Sequence, residues 1–199
     1  EDLDFQHAAA LCFGGTTALH YLRKAGLRRG HSMLVLGGSG AVGSAMVQLG
    51  RQQGAVVSAT TSTGNIDLVA GLGAERVIDY RSTDVAGLGE TVDIVADTVG
   101  AMNFRAAQAL LRPGGSYLAI AGAMKEMLGS LRPGSGGRRM IAGPAGERVE
   151  DVIALGRLAA AGDYRPHVDK VFPFDAMPQA HAHVDTGRKR GSVVVTVAE

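Results

Sequence analysis

From Ser32 onward the chain alternates short apolar runs with amphipathic stretches. Ser32-Met33-Leu34-Val35-Leu36 reads as a strand, residues 44–53 as a helix, and Ala55-Val56-Val57-Ser58-Ala59-Thr60 as a second strand. A helix over 65–72 is ended by Gly73 before the short strand Arg76-Val77-Ile78-Asp79. The run Val92-Asp93-Ile94-Val95-Ala96-Asp97 is mostly apolar, as expected of a central parallel strand covered on both faces. A helix over 102–111 stops at the breaker Arg112-Pro113-Gly114-Gly115, which feeds a strand over 116–121. Arg138-Arg139-Met140-Ile141-Ala142 supplies a sixth strand, and 147–161 its helix. Strands joined by crossover helices predict an α/β fold, a doubly wound parallel sheet of about six strands. Two stretches leave this rhythm. Residues 125–137, rich in Gly and Pro, read as a loop, and the tail reads as strand 168–172, helix 175–186 and strand 192–197.

Where the first strand meets its helix, Gly38, Ser39, Gly40, Ala41, Val42 and Gly43 form a G-x-G-x-x-G spacing. The first glycine permits a tight turn, the second lets backbone approach a pyrophosphate, and the third lets helix pack against strand. The exposed N–H groups and positive end of the helix then hold the anion. This is a Rossmann-type dinucleotide signature in its expected strand-turn-helix context. An acid at the end of the second strand would accept from the ribose 2′-hydroxyl of an unphosphorylated cofactor. The chain has Thr60, Thr61 and Ser62 there, with no charge to repel a 2′-phosphate and hydroxyls able to donate to it. NADP(H) is therefore favoured over NAD(H).

Composition narrows the function classes. The 199 residues carry a formal net charge of +1, which offers no field to attract nucleic acid or a membrane surface. A lone cysteine, Cys12, excludes an internal disulfide and reads as a small buried core thiol. No apolar run nears the roughly 20 residues of a membrane span, so a soluble, cytoplasmic protein is expected. The chain opens at Glu1 without Met, which reads as a piece of something longer. No metal set is visible: Cys12 is alone, and His181 and His183, two apart on a predicted helix, read as solvated. Tyr21, Tyr80, Tyr117 and Tyr164 all lack a lysine four residues on, which sets aside the Tyr-x-x-x-Lys chemistry of short-chain dehydrogenases. Arg188-Lys189-Arg190 reads as a cationic cluster complementing a helix C-terminus. No catalytic residue is identified.

Beyond these readings, several segments resemble the medium-chain dehydrogenase/reductases, in their zinc-independent quinone oxidoreductase-like branch. They are Gly15-Thr16-Thr17-Ala18-Leu19, the glycine motif from Leu36, Gly73 through Tyr80, Leu111-Arg112-Pro113-Gly114-Gly115, and the tail with Val171-Phe172-Pro173-Phe174, Ala180-His181 and Gly187 through Val195. The resemblance implies a nucleotide domain over 1–162, led by helices within 1–30, and a segment over 163–199 that completes a GroES-like substrate domain lying upstream. It places Thr17 near the nicotinamide, where the residue otherwise reads as the N-cap of a helix over 18–24. It assigns Asp97, Thr98, Val99 and Gly100 to the turn lining the ribose and nicotinamide, Ile120, Ala121 and Gly122 to the floor beneath the ring, and Tyr80 to the 2′-phosphate, where the neighbouring Arg81 adds a cation. Ser192 stands where the family often has lysine.

The implied activity is hydride transfer from NADPH to a quinone, enone or carbonyl, with a small-molecule substrate and no zinc. The chain alone is expected to be weakly active or inactive. The alternative is a non-catalytic dinucleotide-binding or dimerisation module. The segment around Arg139–Ala142 reads as an edge strand with unpaired N–H and C=O groups, and the resemblance implies that two such edges pair in a homodimer. The tail strands, lacking their family partners, are left to pair with each other, to pair with another chain or to remain loosely held.

Overall fold

The computed structural model describes residues 3–121, 134–146 and 148–197. Six parallel strands form one sheet in the order β3-β2-β1-β4-β5-β6: β1 Ser32–Leu36, β2 Val56–Thr61, β3 Arg76–Asp79, β4 Val92–Asp97, β5 Leu111–Ala119 and β6 Arg139–Ala142. The order reverses between β1 and β4, which pair through Val35 and Ala96 while Val35 also opposes Ala59 of β2. Alternation explains why these strands are apolar throughout. Met33 and Val35 join one buried cluster and Leu34 and Leu36 another, on opposite faces of the sheet. Each such side chain, removed from water, contributes about 1.5–3 kcal/mol.

Helix α1, Phe5–Ala25, packs on the first cluster through Leu11, Ala18, Tyr21 and Leu22. The Asp4 side chain caps it by accepting from the His7 N–H, and Gly26 ends it in the left-handed conformation at φ 67°. This corrects two expectations. Thr17 lies inside α1 rather than at its start, because the Gly14-Gly15 pair does not break the helix. A Cβ on Gly14 would stand 2.5 Å from the Ala41 carbonyl oxygen, so glycine there serves close helix packing. Cys12 is exposed, on the face of α1 turned away from the core.

The remaining helices among the described residues are α2 Ala41–Gln52, α3 Ile66–Gly71, α4 Phe104–Ala107, α5 Val149–Ala160 and α6 Met177–Asp185. The helix expected over 102–111 shrinks to α4 and one 3₁₀ turn, Gln108–Leu110, because β5 already begins at Leu111. Leu111 pairs with Val92, a bulge carries the chain through Pro113 and Gly114, and regular register resumes at Ile94 and Ser116. Ile120 and Ala121, expected within the strand, form the turn beyond it. Of the loop expected over 125–137, only 134–137 fall within the described residues, as a turn at Ser135–Gly137.

The tail strands pair with each other. β7, Val168–Pro173, and β8, Ser192–Thr196, form a two-stranded parallel sheet with α6 as the crossover. The Gln48 side chain on α2 fixes the approach to β7 by donating to the Arg165 carbonyl at 2.9 Å and accepting from the Arg165 N–H at 3.1 Å. His183 is half-buried and pairs with the buried Asp169 carboxylate at 2.7 Å, so it is not the solvated residue expected from the sequence.

Candidate functional site

The glycine turn lies at the reversal point of the sheet. Its geometry separates glycines needed by the fold from one that is not. A Cβ on Gly43 would stand 2.0 Å from the Gly37 carbonyl oxygen, and one on Gly38 2.9 Å from the Ala59 methyl. Gly37 has φ +86° with Val99 against it. At Gly40 the nearest atom would be 3.6 Å away and φ is an ordinary −78°, so packing does not require glycine. Gly40 is the N-cap of α2 and supplies no side chain to its first-turn N–H groups. Those donors and the positive helix end face a space that a Cβ would partly fill.

Asp97, at the end of β4, builds the opposite wall. One carboxylate oxygen accepts from the N–H groups of Val99, Gly100 and Ala101 at 2.7–3.1 Å, and the other from Met102 at 3.0 Å. The Tyr117 hydroxyl lies 2.9 Å from the second oxygen. Thr98 donates its hydroxyl to the Leu36 carbonyl at 2.7 Å, tying the ends of β4 and β1 together. Sequence reading placed 97–100 in the wall but gave Asp97 no role in ordering it. A buried acid just before a Thr-x-Gly turn was the available signal.

Two clefts flank the glycine turn. One, of about 1050 Å³, is lined by Thr17, Ala41, Val42, Thr98, Ile120 and Ala121, with Cys12 and Phe13 at its mouth. The other, of about 1130 Å³, is lined by Ser39, Thr60, Thr61, Ser62, Tyr80 and Arg81. Gly40 and Val99 border both, so the clefts meet over the turn. The structure thus brings the sequence-derived residues to one trench, in two groups. Gly38 and Gly43 lie beneath it, Gly100 belongs to the Asp97-held wall, and Gly122 falls outside the described residues.

Hydroxyls in the second cleft divide by role. Thr60 is buried and its Oγ1 accepts from the Gly37 N–H, while Thr61, also buried, lies 3.1 Å from the Ser39 hydroxyl. Ser62 is only half-buried and accepts from Asn65 at 3.2 Å, which leaves its own proton available. At the rim the Thr63 hydroxyl and the Arg81 N–H hold the Asp79 carboxyl below the usual aspartate range.

The basic run 188–190 lies beyond α6, which ends at Asp185, so it does not serve as that helix's C-terminal charge cluster. It borders the second cleft, and Lys189 borders both. Ser192 donates its backbone N–H to the His167 carbonyl, a contact within the tail. Among the described residues no three His, Cys, Asp or Glu side chains gather as metal ligands.

Residues 72–195 match the family model described as zinc-binding dehydrogenase. The chain belongs to the medium-chain dehydrogenase/reductase family. Among curated members it is 34% identical to a 2-methylene-furan-3-one reductase of Solanum lycopersicum and 31% identical to an NADPH-dependent alkenal/one oxidoreductase of Arabidopsis thaliana. Each comparison takes in 98% of this chain and 48% of the relative, so this medium-chain dehydrogenase/reductase chain spans about half the length of the curated relatives it matches. Among solved structures, the quinone oxidoreductase from Coxiella burnetii superposes with a TM-score of 0.88 at 27% identity, over 98% of this chain and 62% of that one. No helix among the described residues is long and apolar enough to cross a membrane.

Proposed function

We propose that the chain is the cofactor-binding portion of an NADPH-dependent oxidoreductase that reduces a quinone, enone or carbonyl compound. The observation that carries this reading is the trench. It crosses the reversal point of the sheet, is floored by an open helix N-terminus at a glycine whose Cβ the fold would tolerate, and has no acid at the end of β2. The bound dinucleotide would supply the hydride. Gly38 through Gly43 would receive its diphosphate, and Ser62, Tyr80 and Arg81 its 2′-phosphate. Thr17, Thr98 and Val99, with Ile120 and Ala121, would position the nicotinamide and exclude water from it. The tomato furanone reductase and the Arabidopsis alkenal/one oxidoreductase support an enone as the acceptor.

In this reading residues 163–199 contribute to the substrate side, and the remaining wall corresponds to the part of the longer relatives that these 199 residues do not match. The outer edge of β6, last in the sheet order, is the proposed homodimer contact, and sedimentation at micromolar concentration tests it: a monomer counts against pairing.

Thermal unfolding with each cofactor is the decisive experiment. At about 100 times its dissociation constant a ligand adds roughly 2.7 kcal/mol, on the order of 5–10 °C for a chain of this size. At equal concentrations of the two, a shift with NADPH and a smaller one with NADH is expected. No shift with either would overturn the assignment. Quinone reduction by this chain alone should be slow or undetectable, and turnover matching that of intact relatives would refute the view that a wall is missing.

A further inference from the structure

A further cavity, of about 820 Å³, lies apart from the trench and shares no lining residue with either cleft. The C-terminal half of α2, the first turn of α1 and the segment between α5 and β7 wall it, and they bring Arg51, His7, Asp163, Arg165 and His167 together. Arg165 is set in place before any ligand arrives. The Gln48 side chain holds its backbone at both the N–H and the carbonyl. Its Nε donates to His7 Nε2 at 3.2 Å, which fixes the His7 proton on Nδ1, 2.7 Å from an Asp4 carboxylate oxygen. Among the described residues the two terminal nitrogens of the Arg165 guanidinium have no acceptor, and the Arg51 guanidinium has none for any of its five N–H groups. Cations near helix ends often serve the last carbonyls. Here those carbonyls are taken: Gly54 and Ala55 donate to Arg51 and Gly50, and Gly162 and Asp163 to Ala159 and Leu158. Two uncommitted guanidinium groups therefore share the cavity with one carboxylate, the exposed Asp163. Burial pulls the His167 imidazole below its usual range, against Asp169 and with Arg190 and His7, so near neutral pH it offers hydrogen bonds rather than charge.

We propose that this cavity is a second ligand site, for a small polar molecule that carries an oxyanion, a phosphate monoester or a dicarboxylate. The Arg165 fork, aimed by His7 and Gln48, and the Arg51 fork hold the anion. A guanidinium matches both oxyanions bidentately, which is the chemistry the two ligand types share. The volume lies within the range of small-molecule sites, roughly 300–1,000 Å³. Since no residue is common to the cavity and the trench, the site fills whether or not a dinucleotide is bound, and the inference does not rest on the dinucleotide reading.

The test is titration of the 199-residue chain with inorganic phosphate, glycerol phosphate and succinate, with and without NADPH, read from the backbone amide resonances of Gly162, Asp163 and Arg165. Saturable shifts there that NADPH leaves in place are expected. Tighter binding of glycerol phosphate than of succinate assigns a phosphate, and the reverse order a carboxylate; either supports the site. Arg51→Met and Arg165→Met should each weaken binding by about five-fold or more, as expected for losing a charge-assisted hydrogen bond at an exposed position. Asp163→Asn should tighten binding by removing the opposing charge. No shift at those amides with any of the three probes overturns the proposal, as does affinity that ignores both arginine substitutions. Shifts confined to Ser39 and Ser62 place the anion in the trench and overturn it as well. Should Arg165→Met fail to fold, Arg51→Met carries the test, because that guanidinium has no partner among the described residues to lose.

Discussion

The Gly191 backbone N–H donates to the Ser39 carbonyl at 2.8 Å, joining the tail sheet to the glycine turn. Gly191 has φ +76°, and a Cβ there would stand 2.1 Å from the His167 carbonyl oxygen. Gly191→Ala is therefore expected to free the tail while the six-stranded sheet stays intact. Hydrogen exchange should accelerate over 187–197 and remain slow over 32–36. Equal protection of both segments before and after substitution would contradict this coupling.

Two glycines three residues apart should behave oppositely. Gly43→Ala puts a methyl into the Gly37 carbonyl and should destabilise by upwards of about 3 kcal/mol. Gly40→Ala has room and should change stability by less than about 0.5 kcal/mol while weakening NADPH at least about ten-fold, because its methyl enters the space over the helix end. Urea unfolding and cofactor titration on both variants separate the two effects.

Asp97 is buried with four N–H donors on its carboxylate. Asp97→Asn replaces one acceptor oxygen with a donor facing donors, and a loss of about 2–4 kcal/mol is expected. Tyr117→Phe removes one hydroxyl from the same network and should cost about 1–2 kcal/mol. Stabilities measured for both single variants and the double will show a sum short of additive if the network acts as a unit.

Acid should unfold the protein partly through Asp93. Its burial favours the neutral form, but the Ser32 N–H and hydroxyl and the Arg112 guanidinium outweigh that, and the carboxyl sits below the usual range. A depressed folded-state pKa gives stability that is complete above the unfolded value, near pH 4, and is lost as pH falls through the folded one. Asp169 adds the same sign, its burial outweighed by His183 and Arg190. Stability measured from pH 6 down to pH 2.5 should fall less steeply in Asp93→Asn than in the unmodified chain, and parallel curves would remove Asp93 from the account.

Cofactor choice is tested at the rim of the second cleft. Arg81 is exposed there beside Tyr80. Arg81→Ala should weaken NADPH by about ten-fold and leave NADH within about two-fold, since only NADPH presents a phosphate to it. Comparable losses for both would place Arg81 elsewhere on the cofactor.

Much of the fold was legible because the signals were local and redundant. Val92 through Asp97 reads as a buried parallel strand from its apolar run alone, and the glycine spacing sits between a strand and a helix that both form. The failures have physical causes. Pro113 and Gly114 are strong stop signals, yet a bulge opposite Val92 carries β5 past them, which only the partner strand can dictate. Gly14-Gly15 looks like a break before Thr17, but the carbonyl of Ala41 presses on that point and needs glycine. Cys12 has the chemistry of a core residue and an outward position on α1. The basic run after α6 carried its charge plainly; where the tail folds back is a long-range fact that no neighbouring residue encodes.

The wall held by Asp97 also bears on how a ligand is received. Since the amides of Val99 through Met102 already converge on one carboxylate, that side of the crevice arrives in its final shape. An incoming molecule then loses little free energy to arranging the loop. Association at this wall should resemble a key entering a cut lock more than a hand closing on a ball.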